Sequence, residues 1–132
     1  MLDFRPFETA SFVALRIISG LLFALHGVQK IFGILADAPA EFGTQMWAGG
    51  LIELIGGVCI AIGLLTRPMA ILASGTMAVA YIQFHWKGAL DQNFFPAVNK
   101  GDAAVLYCFL FLYFALRRDN PASVDRLIFG KR

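Results

Sequence analysis

The sequence predicts an all-α fold: a polytopic membrane four-helix bundle with both termini in the cytoplasm. Three observations carry that expectation: an apolar composition, four separated apolar runs, and a lopsided placement of Lys and Arg. Hydrophobic residues make up 58% of the 132 residues and charged residues only 15%, with mean hydropathy +0.69. Soluble domains hold roughly 45–50% apolar and about 25% charged residues, so the balance is that of a protein solvated by lipid. The length allows one domain of about four spans at roughly 20 residues each, and no separate soluble domain.

The first run extends from about Phe12 to Leu35 behind the mixed charges Asp3, Arg5 and Glu8. It is too long, and too polar inside, for a cleaved signal segment, so it is expected to be retained. The second covers Ala48 to Leu65. The third starts at Pro68, where proline suits a first helical turn, and ends in the aromatics Tyr81, Phe84 and Trp86. The fourth, about Ala103 to Leu116, has Asp102 at its N-terminal end, where a helix favours negative charge. It is short for a span and calls for local thinning or shielding.

Arg5, Arg67, Arg117, Arg118, Arg126, Lys131 and Arg132 lie in the two tails and the loop between runs two and three; the other loops hold Lys87 and Lys100. Seven against two predicts cytoplasmic termini. The net charge of +2 follows from those tails and does not form a nucleic-acid-binding patch. Trp47 and Trp86 then fall on the outer side as interfacial anchors. The expected location is the inner (plasma) membrane, crossed several times.

Within this frame Glu53 stands out. A carboxylate in an apolar span is costly unless it is paired or faces a polar cavity. With Arg16 as zero and about 100° per residue, Ser19, Gly20, Phe23, His26, Gly27 and Lys30 share a sector of roughly 120° on span one. On span two, Gly49, Gly50, Gly56, Gly57 and Gly63 lie within roughly 80° of Glu53. Small residues let helices approach closely, and packing alone would explain the glycines; it does not require the acid. Counting about 1.5 Å per residue places Glu53 and His26 roughly 5 Å to the outer side of mid-membrane, Lys30 roughly 10 Å out, and Arg16 roughly 10 Å toward the cytoplasm. Glu53 is therefore expected to meet His26 or Lys30, with Tyr81 and His85 close enough to join. Arg16 is expected to snorkel inward, to a lipid phosphate or a C-terminal acid such as Asp125. The apolar Phe94-Phe95-Pro96 stretch predicts a surface anchor or a lid over the bundle mouth, with Asn99 and Lys100 reaching toward Glu53.

Several chemistries are not written in the chain. It has no Cys-x-x-Cys, haem-attachment motif or glycine-rich nucleotide loop, so no intrinsic electron carrier or metal site is expected, and a site shared by His26 and His85 is disfavoured by their depths. Cys59 and Cys108 read as packing residues.

The order and spacing of His26-Gly27-x-x-Lys30, Gly50-x-x-Glu53-x-x-Gly56-Gly57, Gly63-Leu-x-Thr66-Arg67 and Phe95-Pro96-x-x-Asn99-Lys100-Gly101-Asp102 resemble the DoxX family of small four-helix membrane proteins. Two features depart from it: Asp102 stands where the family more often has Glu, and Arg117-Arg118-Asp119-Asn120-Pro121 replaces a Gly-x-Gly. The family is named for likeness to a subunit of a thiosulfate:quinone oxidoreductase, so the resemblance implies a redox-associated, quinone-linked membrane subunit whose electron carrier sits on a partner subunit. Self-association is a further expectation. In that reading His26, Glu53 and Lys30 are the catalytic candidates, with Arg16, Tyr81, His85, Asn99 and Lys100 as ligand-binding candidates. The alternative is a non-catalytic component that passes a small lipid-like molecule or assists assembly, with the buried polar groups as a register device.

Overall fold

The computed structural model describes residues 3–130, and these form helices and connections with no strand. Lys131 and Arg132, counted above with the C-terminal cations, lie outside the described residues.

Helix α1 (Arg5–Phe32) begins seven residues before the first apolar run. Pro6 in its first turn and Glu8 near the N-terminal dipole favour that early start, and Gly33 ends it in the left-handed conformation. Helix α2 (Gln45–Ile62) is capped by Thr44, whose side chain accepts from the Trp47 amide at 3.2 Å, and closes on Gly63 at φ 76°. Helix α3 (Thr66–Ala80) runs directly into a π-helical segment, Tyr81–Trp86. A short turn (Gln92–Phe94) and helix α4 (Pro96–Asn99) lead to α5 (Asp102–Leu116), and α6 (Val124–Phe129) completes the described chain. Arg5–Phe32 and Gln45–Ile62 are long and apolar enough to cross a membrane; Asp102–Leu116 is apolar but shorter.

The pairs α1–α2 and α3–α5 pack most extensively, and α2 also packs on α3. Along the α1–α2 seam the backbones themselves meet. A Cβ added to Gly20 would lie 2.6 Å from the Ala61 nitrogen, and Gly27 and Gly57 are equally tight against the backbones of Leu54 and Ala24. This is close approach through small residues, the device that membrane helices use where apolar burial gives no net drive. The expectation of one uniform glycine face needs correction. Gly49 and Gly56 have open space where a side chain would go, because the helix–helix contact is centred on Gly50 and Gly57.

Between the two helix pairs lies an aromatic core. Phe23 meets Phe111 edge-on with ring centroids 4.7 Å apart, and Phe12 meets Phe114 the same way at 5.6 Å. The α3–α5 contact is built on Ala70 and Ala73, with the Ser74 hydroxyl donating to the Cys108 carbonyl at 2.8 Å. Cys59 and Cys108 are free and half-buried, in keeping with packing roles. Outside this core the helices present Ile18, Leu21 and Leu22 of α1, Ile55 and Val58 of α2, and Leu106 and Phe109 of α5. Such an apolar exterior is stable when its solvent is hydrocarbon.

Candidate functional site

Glu53 is buried, with 2% of its surface exposed, and Lys30 in the last turn of α1 donates from Nζ to its Oε1 at 2.5 Å. This is one of the two partners expected from the sequence. The Lys30 side chain remains 30% exposed, so the pair is sealed on the acid's side and open on the ammonium's. Lys30 can reach because Gly50, one turn before the acid, lets the lysine stem lie directly on α2; a Cβ there would sit 2.8 Å from the Lys30 Cβ. Glu53 Oε2 is buried and makes no hydrogen bond among the described residues.

Both charges line a cavity of about 690 Å³ between α2 and α3. Gly49 and Gly75 leave its walls open, Ile52, Leu72 and Val79 make them apolar, and His85 of the π-helical segment lines it too. Gln45 of α2 ties this end to the same segment, donating to Gln83 Oε1 at 2.6 Å. Neither glutamine was singled out from the sequence, since nothing in their spacing marks two polar residues 38 positions apart as neighbours.

His26 is placed elsewhere. It is exposed and pairs with Gln29 Oε1 at 3.2 Å. Helix α2 covers the Gly20–Ala24–Gly27 side of α1, and His26 projects about 160° around the helix from Ala24. A shared sector on a helical wheel put His26 and Lys30 together; only the long lysine stem bridges to the acid.

Tyr81 and Asn99 form a second network. The Tyr81 hydroxyl donates to the Phe94 carbonyl and accepts from Asn99 Nδ2 at 3.2 Å, while Asn99 Nδ2 also donates to the Asn93 carbonyl at 2.8 Å. The Asn99 carbonyl lies 3.2 Å from His85 Nδ1, which joins this knot to the cavity wall. The Phe94–Pro96 stretch packs over the π-helical segment, Phe94 standing edge-on to Trp86 at 5.3 Å, and does not line the Glu53 cavity. Lys100 ends α4 at φ 61°, is exposed, and makes no ion pair among the described residues. It does not cap a lid onto Glu53: the knot holds the connection on the α3–α5 side.

At the other end of the molecule Arg16 is 1% exposed, so it does not snorkel to a surface. Its guanidinium donates to Asn120 Oδ1 at 2.6 Å, to the Pro121 carbonyl at 2.9 Å and to the Ala122 carbonyl at 2.7 Å. The C-terminal segment does receive it, through neutral oxygens and not through the Asp125 carboxylate. Asp125 is committed to the N-terminus of α3, accepting from the amides of Leu65 at 2.7 Å and Thr66 at 2.9 Å. Asn120 Nδ2 donates to Thr66 Oγ1 at 2.8 Å, closing the cluster. The sequence carried one legible sign of this clasp: Ser123, followed two residues later by Asp125, is the pattern of a helix start.

The profile of the DoxX family matches residues 11–86, which include Arg16, Lys30, Glu53, Tyr81 and His85. A Haemophilus influenzae protein described as "Uncharacterized protein" is 33% identical over 97% of this chain and 96% of its own length. "Putative oxidoreductase CatD" of Bacillus subtilis is 27% identical over 97% of this chain and 94% of its own. No solved structure matches. With the matched region covering more than half of the sequence and full-length similarity to the first of these relatives, the chain belongs to the DoxX family.

Proposed function

We propose that this protein is a redox-associated subunit of the inner (plasma) membrane that binds a quinone in the Glu53 cavity. In this reading α1, α2, α3 with its π-helical extension, and α5 are four spans with cytoplasmic termini. A partner subunit brings the electron carrier. The single observation that carries the proposal is a buried carboxylate, half satisfied by one lysine, on the wall of an otherwise apolar cavity of about 690 Å³. Small-molecule sites commonly measure roughly 300–1,000 Å³ and combine apolar walls with a few placed polar groups. A planar, mostly apolar head with carbonyl oxygens fits such walls. The name of the Bacillus subtilis relative agrees with a redox role.

When bound, a quinone takes up electrons and protons. The chain's own groups supply the protein's part: Glu53 holds or delivers a proton, Lys30 stabilises negative charge on an oxygen near Nζ, and His85 lines the same cavity as a further proton carrier. Leu72, Ile52 and Val79 exclude water around them.

Titration of the purified protein in nanodiscs with a short-chain ubiquinone and with menadione, followed by tryptophan fluorescence, tests this. Saturable quenching is expected for at least one of them. Gly75→Leu should abolish it while preserving the melting temperature, because Gly75 has open space toward the cavity. No saturable binding to the natural sequence would remove the proposal. The Lys30–Glu53 contact across the α1–α2 seam favours a second reading, a non-catalytic transport or assembly component in which the pair fixes helix register. There Glu53→Gln loses folded yield; in the redox reading it yields folded protein that no longer supports quinone reduction in native membranes.

A further inference from the structure

The geometry points to a second binding site, at the Arg16 end of the molecule, for the phosphate of an anionic phospholipid. A cavity of about 480 Å³ opens there, lined by the side chains of Arg67, Arg117, Arg118 and Arg126. Only two ion pairs occur among the described residues, Arg5–Asp3 and Lys30–Glu53, so none of these four guanidinium groups has an acid partner among them. Two acids line the same cavity. Asp125 has both oxygens engaged by backbone amides, and Asp119 is exposed. Four cations against two acids leave the lining two charges positive.

Two of the four arginines are fixed by contacts of their own. Arg117 lies over the Phe12 ring, its guanidinium carbon 4.0 Å from the centroid, and donates to the Tyr113 hydroxyl at 2.6 Å and the Asp119 carbonyl at 3.0 Å. Arg67 Nε donates to the Ala115 carbonyl at 3.0 Å, which fixes its stem and leaves its terminal nitrogens without a hydrogen bond among the described residues. The side chains of Arg118 and Arg126 make none either. Planar guanidinium forks suit phosphate oxygens, and aromatic stacking orients the fork at little entropic cost. Beside the charged groups and the polar Thr66, Asn120 and Ser123, the lining carries the apolar side chains of Phe12, Leu65, Pro68 and Phe114. A phosphate at the arginines would therefore have hydrocarbon-compatible walls beside it, and the exposed apolar faces of the helices continue that surface. A free anion uses only the first half of this arrangement; a lipid uses both. Basic pockets between membrane helices on the cytoplasmic side take anionic head groups by the same logic. The inference requires the protein to lie in a bilayer but is independent of quinone binding.

The test uses the full chain in mild detergent, with bound lipid counted by native mass spectrometry. Phosphatidylglycerol should bind at least tenfold more tightly than phosphatidylcholine, whose choline is repelled by the arginines, and inorganic phosphate should not compete at lipid-equivalent concentration. Arg118→Gln with Arg126→Gln should weaken phosphatidylglycerol by roughly 25-fold, at about fivefold per cation near the surface. The matched pair Arg118→Lys with Arg126→Lys keeps the charge and should retain most of the affinity. Arg118→Gln alone, at an exposed position, serves should the double variant misfold, and should cost about fivefold. Equal binding of the two lipids, unchanged binding in the glutamine variants, or equally tight binding of inorganic phosphate would each overturn the lipid site.

Discussion

Glu53 and Lys30 illustrate how much a single pair can be asked to do. Removing the lysine leaves a carboxylate in a place where water cannot help it, and breaking a buried pair from one side costs roughly 3–5 kcal/mol. Because the lysine side chain is 30% exposed, Lys30→Met should fall at the low end of that range. Glu53→Gln should cost less, since its ammonium partner can turn toward the open side. The double variant Lys30→Met with Glu53→Gln should recover part of the loss, and a thermal-melt double-mutant cycle in detergent measures the coupling; additive losses would show that the pair does not act as a unit. The acid and its lysine partner were legible in the sequence because a charge inside an apolar run must be answered by another group at similar depth. His26 could not be separated from Lys30 by that argument: side-chain length and the exact side of α1 covered by α2 decide it, and both are tertiary facts. The same holds for Arg16, two of whose three acceptors are backbone carbonyls, groups that every sequence has and no motif announces.

At the level of helices, the glycines divide by what faces them. Gly57→Ala must push a methyl against the backbone of Ala24, where no side chain can move aside, so α1 and α2 have to separate. A loss of roughly 1–3 kcal/mol is expected, offset in part by alanine's better helix propensity. Gly56→Ala meets nothing and should be neutral or stabilising by up to about 1 kcal/mol. Comparing the two melting temperatures checks both; equal effects would mean that the close seam is not what holds the pair. The ends of α1, α2 and α5 were readable to within a few residues of the apolar runs, apart from the early start of α1. The π-helical turn Tyr81–Trp86 was not, since its sequence has the same apolar and aromatic content as an α-helix. Its wider turn is tied to the Tyr81–His85–Asn99 knot, so Asn99→Ala should loosen the 87–101 connection, seen as faster amide exchange there, while the Lys30 end of α1 and α2 keeps its protection.

For the molecule as a whole, the apolar exterior and the charge asymmetry make a joint prediction about topology. Green fluorescent protein fused after the C-terminus should fluoresce, and alkaline phosphatase fused within the 87–101 connection should be active; the reverse pattern would invert the proposed orientation. Composition made the class legible, and helical spacing made much of the internal faces of α1 and α2 legible, with His26, Gly49 and Gly56 the exceptions. The partition into an α1–α2 pair and an α3–α5 pair was not, because α5 is apolar all round and gives no preferred face.

One consequence of the Arg16 clasp concerns synthesis. The oxygens that receive this guanidinium belong to residues 104 to 106 positions later in the chain. While the ribosome is still making the intervening helices, the arginine of the first helix has no native partner and must stay hydrated or be shielded by the insertion machinery. Completion of the fold thus waits for the last part of the polypeptide to emerge, and a nascent chain stalled before Asn120 would carry an unmet charge that quality-control proteases can recognise.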